Sequence, residues 1–131
     1  MKMRSFNPPD LKNALQRRVG PYQLALVYRY ITNDKGPTIH ILGPVATENR
    51  EIIRFDCFER EPHYHLGISY LAEPVVTIEA SKPLSWVLEE LEEYFPEYLK
   101  RSRADNKLPY NWRSLIREVT KVFRTKAAEW E

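Results

Sequence analysis

Residues 52–69 read IIRFDCFEREPHYHLGIS, and the fold follows from how this stretch pairs with itself. Apolar and polar side chains alternate on both sides of Glu59-Arg60-Glu61-Pro62, whose residue types suit a chain reversal, so the stretch reads as a β-hairpin. A four-residue turn sets Phe58 opposite His63, Asp56 opposite His65 and Arg54 opposite Gly67. One face then carries Ile53, Phe55, Cys57, Tyr64, Leu66 and Ile68. The other carries Arg54, Asp56, His63 and His65. A slip of one residue would move the whole apolar set into water, so the division between faces is strongly specified.

Upstream, Tyr22 to Thr32 (YQLALVYRYIT) is rich in aromatic and branched residues and reads as a strand. Asn33 to Pro37 supplies turn chemistry. Thr38 to Leu42 follows as a strand with Ile39 and Ile41 on one face and Thr38, His40 and Leu42 on the other, closed by Gly43-Pro44. Ahead of these, Asn7-Pro8-Pro9-Asp10 looks like a helix start. Leu11, Ala14 and Leu15 then predict a helix from Pro9 to Arg18, ended by Gly20-Pro21.

Downstream, Pro74 to Ala80 predicts a further strand. Ser81 and Pro83 then open a helix whose stripe of Leu84, Val87, Leu88, Leu91, Phe95, Tyr98 and Leu99 opposes Glu89, Glu90, Glu92 and Glu93, with Pro96 as a kink. After a loop over Arg103 to Pro109, Trp112, Ile116, Val119, Phe123 and Trp130 mark the inner side of a last helix. Its outer side carries Arg113, Arg117, Lys121 and Arg124. The expected fold is α+β in a single domain over residues 1–131: an N-terminal helix, a mostly antiparallel sheet of four or five strands, and two C-terminal helices packed on one face. The opposite face would stay partly open and carry Arg29, His40, Arg54, Asp56, His63, His65 and Glu79. All three histidines of the chain fall there.

At 131 residues and 43% hydrophobic content, the chain can bury a two-layer core without disulfides or metals as staples. Cys57, the single cysteine, alternates with core residues and is expected to be a buried reduced thiol, which excludes an intrachain disulfide and disfavours a nucleophilic role. No signal-peptide core or membrane-length apolar run stands out, so a cytoplasmic protein without a membrane partner is expected. The net charge of +2 conceals basic ends around an acidic middle, a pattern shared by nucleic-acid binders and by solvated helices.

Two histidines beside an arginine suit metal-independent phosphodiester cleavage. His63 and His65 would act as acid and base, Asp56 would orient an imidazole, and Arg54 or Arg29 would stabilise developing phosphorane charge. The competing reading is a metal site, because His-x-His on a strand sends both imidazoles to one side, where Asp56, His40 or Glu79 could close it. Surface histidines on a wetted sheet face can also do nothing. The basic stripe of the last helix, with Arg29, is a candidate for tracking a phosphate backbone.

The segment IIRFDCFEREPHYHLGI followed by EPVVTIEASKPLSWVLEELEEYF resembles the central pattern of the TumE-like toxin family of bacterial toxin-antitoxin modules. The matching positions are Arg54, Phe55, Asp56, His63, His65, Glu73-Pro74 and Leu84 through Phe95. The resemblance spans roughly residues 22 to 95. It implies a small cytoplasmic protein that inhibits growth by attacking RNA and has an antitoxin partner; the acid–base reading of the histidines needs no cofactor, and an oligomer is compatible with either. The alternative is a non-catalytic accessory protein that holds nucleic acid or protein with its basic helix.

Overall fold

A computed structural model of the chain describes residues 8–131. Six strands form one antiparallel sheet in sequence order: β1 (Leu15–Val19), β2 (Tyr22–Ile31), β3 (Asp34–Val45), β4 (Glu48–Asp56), β5 (His63–Leu66) and β6 (Val76–Thr77). Two helices follow, α1 (Pro83–Arg101) and α2 (Trp112–Ala128). Each strand adjoins its sequence neighbours, so every connection is a local hairpin or loop.

The predicted N-terminal helix is absent, and its second half is β1 instead. Gly20-Pro21 is a two-residue hairpin turn, with Val19 opposite Tyr22 and Gly20 at φ 58°. Positive φ at the first central position is what a hairpin of this length asks for, and proline fits the second. A helix of ten residues is marginal alone, whereas pairing with β2 satisfies the backbone over five residues and buries Val19. Asn7, read as a helix cap, lies outside the described residues. The extra strand raises the sheet from the four or five expected to six.

The core is a single apolar layer between sheet and helices. Leu24, Leu26, Ile39, Ile41, Ile53, Phe55 and Tyr64 project from the sheet against Val87, Leu88, Leu91, Phe95 and Tyr98 of α1 and Ile116, Val119 and Phe123 of α2. The α1 stripe is the one its heptad-like spacing predicts. The helix breaks at Tyr94, whose φ and ψ are non-helical, two residues before Pro96. Trp112 and Trp130 are partly buried against the same core, and Trp130 meets Tyr28 edge-on at 5.3 Å.

Two departures from regular alternation shape the opposite face. Between Ile41 and Leu42 the β3–β4 register shifts, so that Leu42 faces Glu51 and Ile52 is the extra residue. Both Ile52 and Ile53 are thereby buried in the core, and Glu51 is re-aimed to the polar side, a usual effect of a β-bulge.

The second departure is the loop before β5, which spans 57–62. Asp56 pairs with His63 and Arg54 with His65, two residues from the register expected of a four-residue turn. Cys57 and Glu59 remain hydrogen-bonded to Pro37 and Lys35 of β3, and the Asp34 carboxylate accepts the amides of Arg60 and Glu61. A shift of two preserves which side chains share a face. The strand predicted over Pro74 to Ala80 shortens to Val76–Thr77, with the Ile78 amide bonded to the Pro62 carbonyl.

Gly36 is where β3 lets the 57–62 loop pass. A Cβ there would stand 2.4 Å from the Cys57 carbonyl oxygen and 2.9 Å from the Phe58 Cα. Backbone atoms cannot swing aside as a side chain can. Gly36→Ala is expected to cost about 1–3 kcal/mol in urea denaturation, and an unchanged midpoint would contradict this packing.

Candidate metal centre

The polar face is a grid of cross-strand neighbours. Thr38, Asp56 and His63 form one row across β3, β4 and β5, and His40, Arg54 and His65 form the next. Asp56 is the centre of the first. As a residue it is 2% exposed, and its carboxylate is surrounded by side chains from three neighbouring strands, β2, β3 and β5. Oδ1 accepts from Arg29 Nη1 of β2 and Thr38 Oγ1 of β3, both at 2.9 Å. Oδ2 faces His63 Nε2 and His65 Nε2, each at 3.3 Å.

Burial alone would raise the Asp56 pKa. The two imidazoles, the Arg29 charge and the Thr38 hydroxyl outweigh it and hold the carboxyl far below the usual carboxylate range. The converse acts on His63, where the Asp56 carboxylate raises the imidazole pKa against a smaller lowering by burial, helped by the Glu61 carbonyl. His63 Nδ1 donates to that carbonyl at 2.7 Å, which fixes the tautomer and leaves Nε2 as the atom turned to Asp56.

The second row is organised by Glu51. Its buried carboxylate accepts from His40 Nδ1 at 2.6 Å, from Arg54 Nε at 3.0 Å and from Arg54 Nη2 at 2.6 Å. Burial opposes ionisation of Glu51, and the His40 and Arg54 bonds overcome it, lowering its pKa. Arg54, expected to stabilise charge at the histidine pair, is thus held by Glu51, and Arg29 is the guanidinium that reaches Asp56. Alternation hides Glu51 on the core side, because a bulge cannot be read from the pattern. Thr38 was placed on the correct face without an assigned role.

The remaining candidates lie apart. The helices cover the sheet's other face, so the α2 stripe is separated from the histidines by the sheet itself. Arg113 and Arg124 are turned toward Glu93 and Glu92 of α1, at 3.5 Å and 2.8 Å, while Arg117 and Lys121 are exposed. Glu79 is exposed, and neither it nor His40 joins the Asp56 cluster. Cys57 is buried on the core side, and burial, with the Asp56 charge, raises its thiol pKa well out of the reactive range.

Asp56, His63 and His65 each offer one ligand atom, all within 4.8 Å of one another. Two ligand atoms roughly 2.0–2.1 Å from one ion at a tetrahedral angle stand about 3.3–3.4 Å apart. The two 3.3 Å spacings match that and exceed the about 2.7–2.9 Å of a charge-assisted hydrogen bond. The supporting contacts also suit a ligand set, since His63 is oriented by a carbonyl and Asp56 by Arg29 and Thr38 through Oδ1, with Oδ2 turned to both imidazoles.

A family profile described as a domain of unknown function, DUF7700, matches residues 17–125, from within β1 to within α2. The chain belongs to the DUF7700 family. The matched span contains every residue of the Asp56 and Glu51 clusters. No curated protein matches this DUF7700 chain, and no solved structure does. Among its described residues no helix is long and apolar enough to cross a membrane.

The signs of the two shifts give the metal-free protein a defined pH response. His63, with its pKa raised above 6.5, contributes stability that is complete below that value and is lost as pH rises through the folded pKa. Asp56, lowered from 3.8, contributes stability present above that value and lost as pH falls through the folded pKa. Denaturation midpoints should therefore decline as pH rises above 6.5 and through the raised His63 pKa, and His63→Gln should flatten that limb. An alkaline limb of equal slope in the variant would refute the His63–Asp56 coupling.

Proposed function

We propose that this protein is a metal-dependent hydrolytic domain whose centre is one divalent transition-metal ion, such as zinc, held by Asp56 Oδ2, His63 Nε2 and His65 Nε2. The observation that carries the reading is the pair of 3.3 Å spacings around a single carboxylate oxygen, with the His63 ring already oriented by the Glu61 carbonyl. Three protein ligands leave coordination positions open, as catalytic sites do and closed structural sites do not. An ion there would supply Lewis-acid polarisation of a substrate oxygen. His63 and His65 retain about a fifth of their side-chain surface, 23% and 21%, so the centre is reachable from solvent while Asp56 is not.

A second reading keeps the histidines as a metal-free acid and base cleaving RNA, as the resemblance to TumE-like toxins implies. Arg29 beside Asp56 and the raised pKa of His63, which favours a proton donor, support it. Against it, His63 Nδ1 is committed to the Glu61 carbonyl, which leaves only Nε2 for proton transfer. An antitoxin partner, an RNA substrate and a cytoplasmic setting rest on the resemblance. The accessory-protein alternative rests on the exposed Arg117 and Lys121 of α2.

Titration of chelator-treated protein with Zn²⁺ or Co²⁺ should give one site per chain and raise the unfolding temperature. Ion at about 100 times its Kd adds about 2.7 kcal/mol. His65→Ala should weaken uptake by about 100-fold or more and remain folded, whereas Cys57→Ser should bind as the parent does. Absence of stoichiometric uptake, with chelator-resistant RNA cleavage, would transfer the conclusion to the second reading.

A further inference from the structure

Beside the metal centre the polar face carries a groove of about 390 Å³, with Pro8, Pro9 and Val27 on its apolar side and Arg29, His40 and Arg54 on its polar side. We infer that this groove is a phosphate-binding subsite, so that the substrate class of the proposed centre is a phosphate ester. The inference rests on the metal reading for the position of the reacting bond and on the groove's own residues for the ligand.

Each of the three polar side chains is fixed at one edge by a buried carboxylate, and the two guanidiniums keep donors in reserve. Arg29 uses Nη1 on Asp56, which leaves Nε and Nη2. Arg54 uses Nε and Nη2 on Glu51, which leaves Nη1, and His40 donates Nδ1–H to the same carboxylate, which leaves the Nε2 lone pair to accept from the O–H of a phosphate monoester. Holding a guanidinium through one edge removes most of the rotamer entropy a ligand would otherwise have to quench.

The reserved donors come from two guanidiniums, on β2 and β4, and the His40 acceptor stands on β3 between those strands. Separate donors suit an anion with several oxygens in different directions. A planar carboxylate is satisfied by one free guanidinium fork.

Charge sets the coupling between groove and centre. Arg29 and Arg54 are balanced by Asp56 and Glu51, so on its own the cluster offers an anion donors with little net field. A divalent ion on Asp56 tips that balance to positive, and an anion in the groove neutralises it. The two sites also share walls: Arg29 belongs to both, and Arg54 is the cross-strand partner of His40 on one side and His65 on the other. By reciprocity, phosphate should then tighten metal binding by the same factor that metal tightens phosphate binding. Asp10 stands at the rim as an exposed carboxylate and lies outside both rows.

The test is calorimetric titration with phenyl phosphate, with benzoate as the carboxylate control, on protein with and without one equivalent of Zn²⁺. Expected are saturable 1:1 binding of phenyl phosphate, tightened by zinc, and binding of benzoate at least 10-fold weaker. Val27→Glu places a negative charge in the groove without removing a partner of Asp56 or Glu51. It should weaken phenyl phosphate at least 10-fold while zinc uptake stays at one per chain.

A protein that takes up zinc but binds no phenyl phosphate, binds benzoate as well, or is insensitive to Val27→Glu overturns the subsite and leaves the metal centre standing. A protein that takes up no zinc overturns the metal reading. The phenyl phosphate and Val27→Glu results on that metal-free protein then decide the subsite alone.

Discussion

A carboxylate buried to 2% exposure is the constraint on which the polar face depends. Taking an ion of that size out of water costs several kcal/mol unless its lone pairs are filled and its charge is balanced. Asp56, on β4, meets both conditions only when β2, β3 and β5 are all in register with it, because Arg29 comes from β2, Thr38 from β3 and both histidines from β5. The charge therefore selects one alignment of four strands from those that the apolar face alone would tolerate. Glu51 repeats the device one row away, with His40 and Arg54 as its partners. Two buried carboxylates, each tied to a guanidinium and at least one imidazole, make the outer sheet surface a rigid platform in place of a solvated face.

The division of side chains between the two faces was legible in the sequence, since it follows from alternation that tolerates no odd slip. Ile53, Phe55, Cys57 and Tyr64 went inward and Arg54, Asp56, His63 and His65 outward, as the pattern requires. The apolar stripes of both helices were legible for the same reason, and so was the kink near Pro96. What alternation could not give was where the period breaks. The bulge at Ile52 inverts Glu51, and the 57–62 loop moves the histidines by two residues, because contacts with Lys35, Pro37 and Asp34 on a third strand decide its length. The N-terminal helix failed because, of its three apolar residues, only Leu15 lies in a regular element, and periodicity within residues 9–18 does not weigh the hydrogen bonds that pairing with β2 supplies.

The chemistry was legible as a set of residue types and not as a set of partners. His63, His65 and Asp56 could be named from the hairpin, but assigning the arginine needed the third dimension: Arg54 is nearer in sequence, and Arg29 reaches the carboxylate from two strands away. Gly36 lies in the register position between Arg29 and the loop, where a side chain would collide with Cys57 and Phe58. The basic stripe of α2 shows the opposite case. Its spacing was correct, yet two of its four cations are turned to the acidic side of α1, and the sheet stands between all four and the histidines.

The central claim is that one oxygen of Asp56 and the Nε2 atoms of His63 and His65 form a ligand set for a divalent ion. X-ray absorption at the zinc edge of protein loaded with one equivalent of zinc reads that set directly. The account predicts a first shell of nitrogen and oxygen at about 2.0–2.2 Å with the outer-shell scattering of two imidazoles and no sulfur. A sulfur scatterer at about 2.3 Å, which Cys57 would have to provide, or a shell without imidazole scattering, would contradict it.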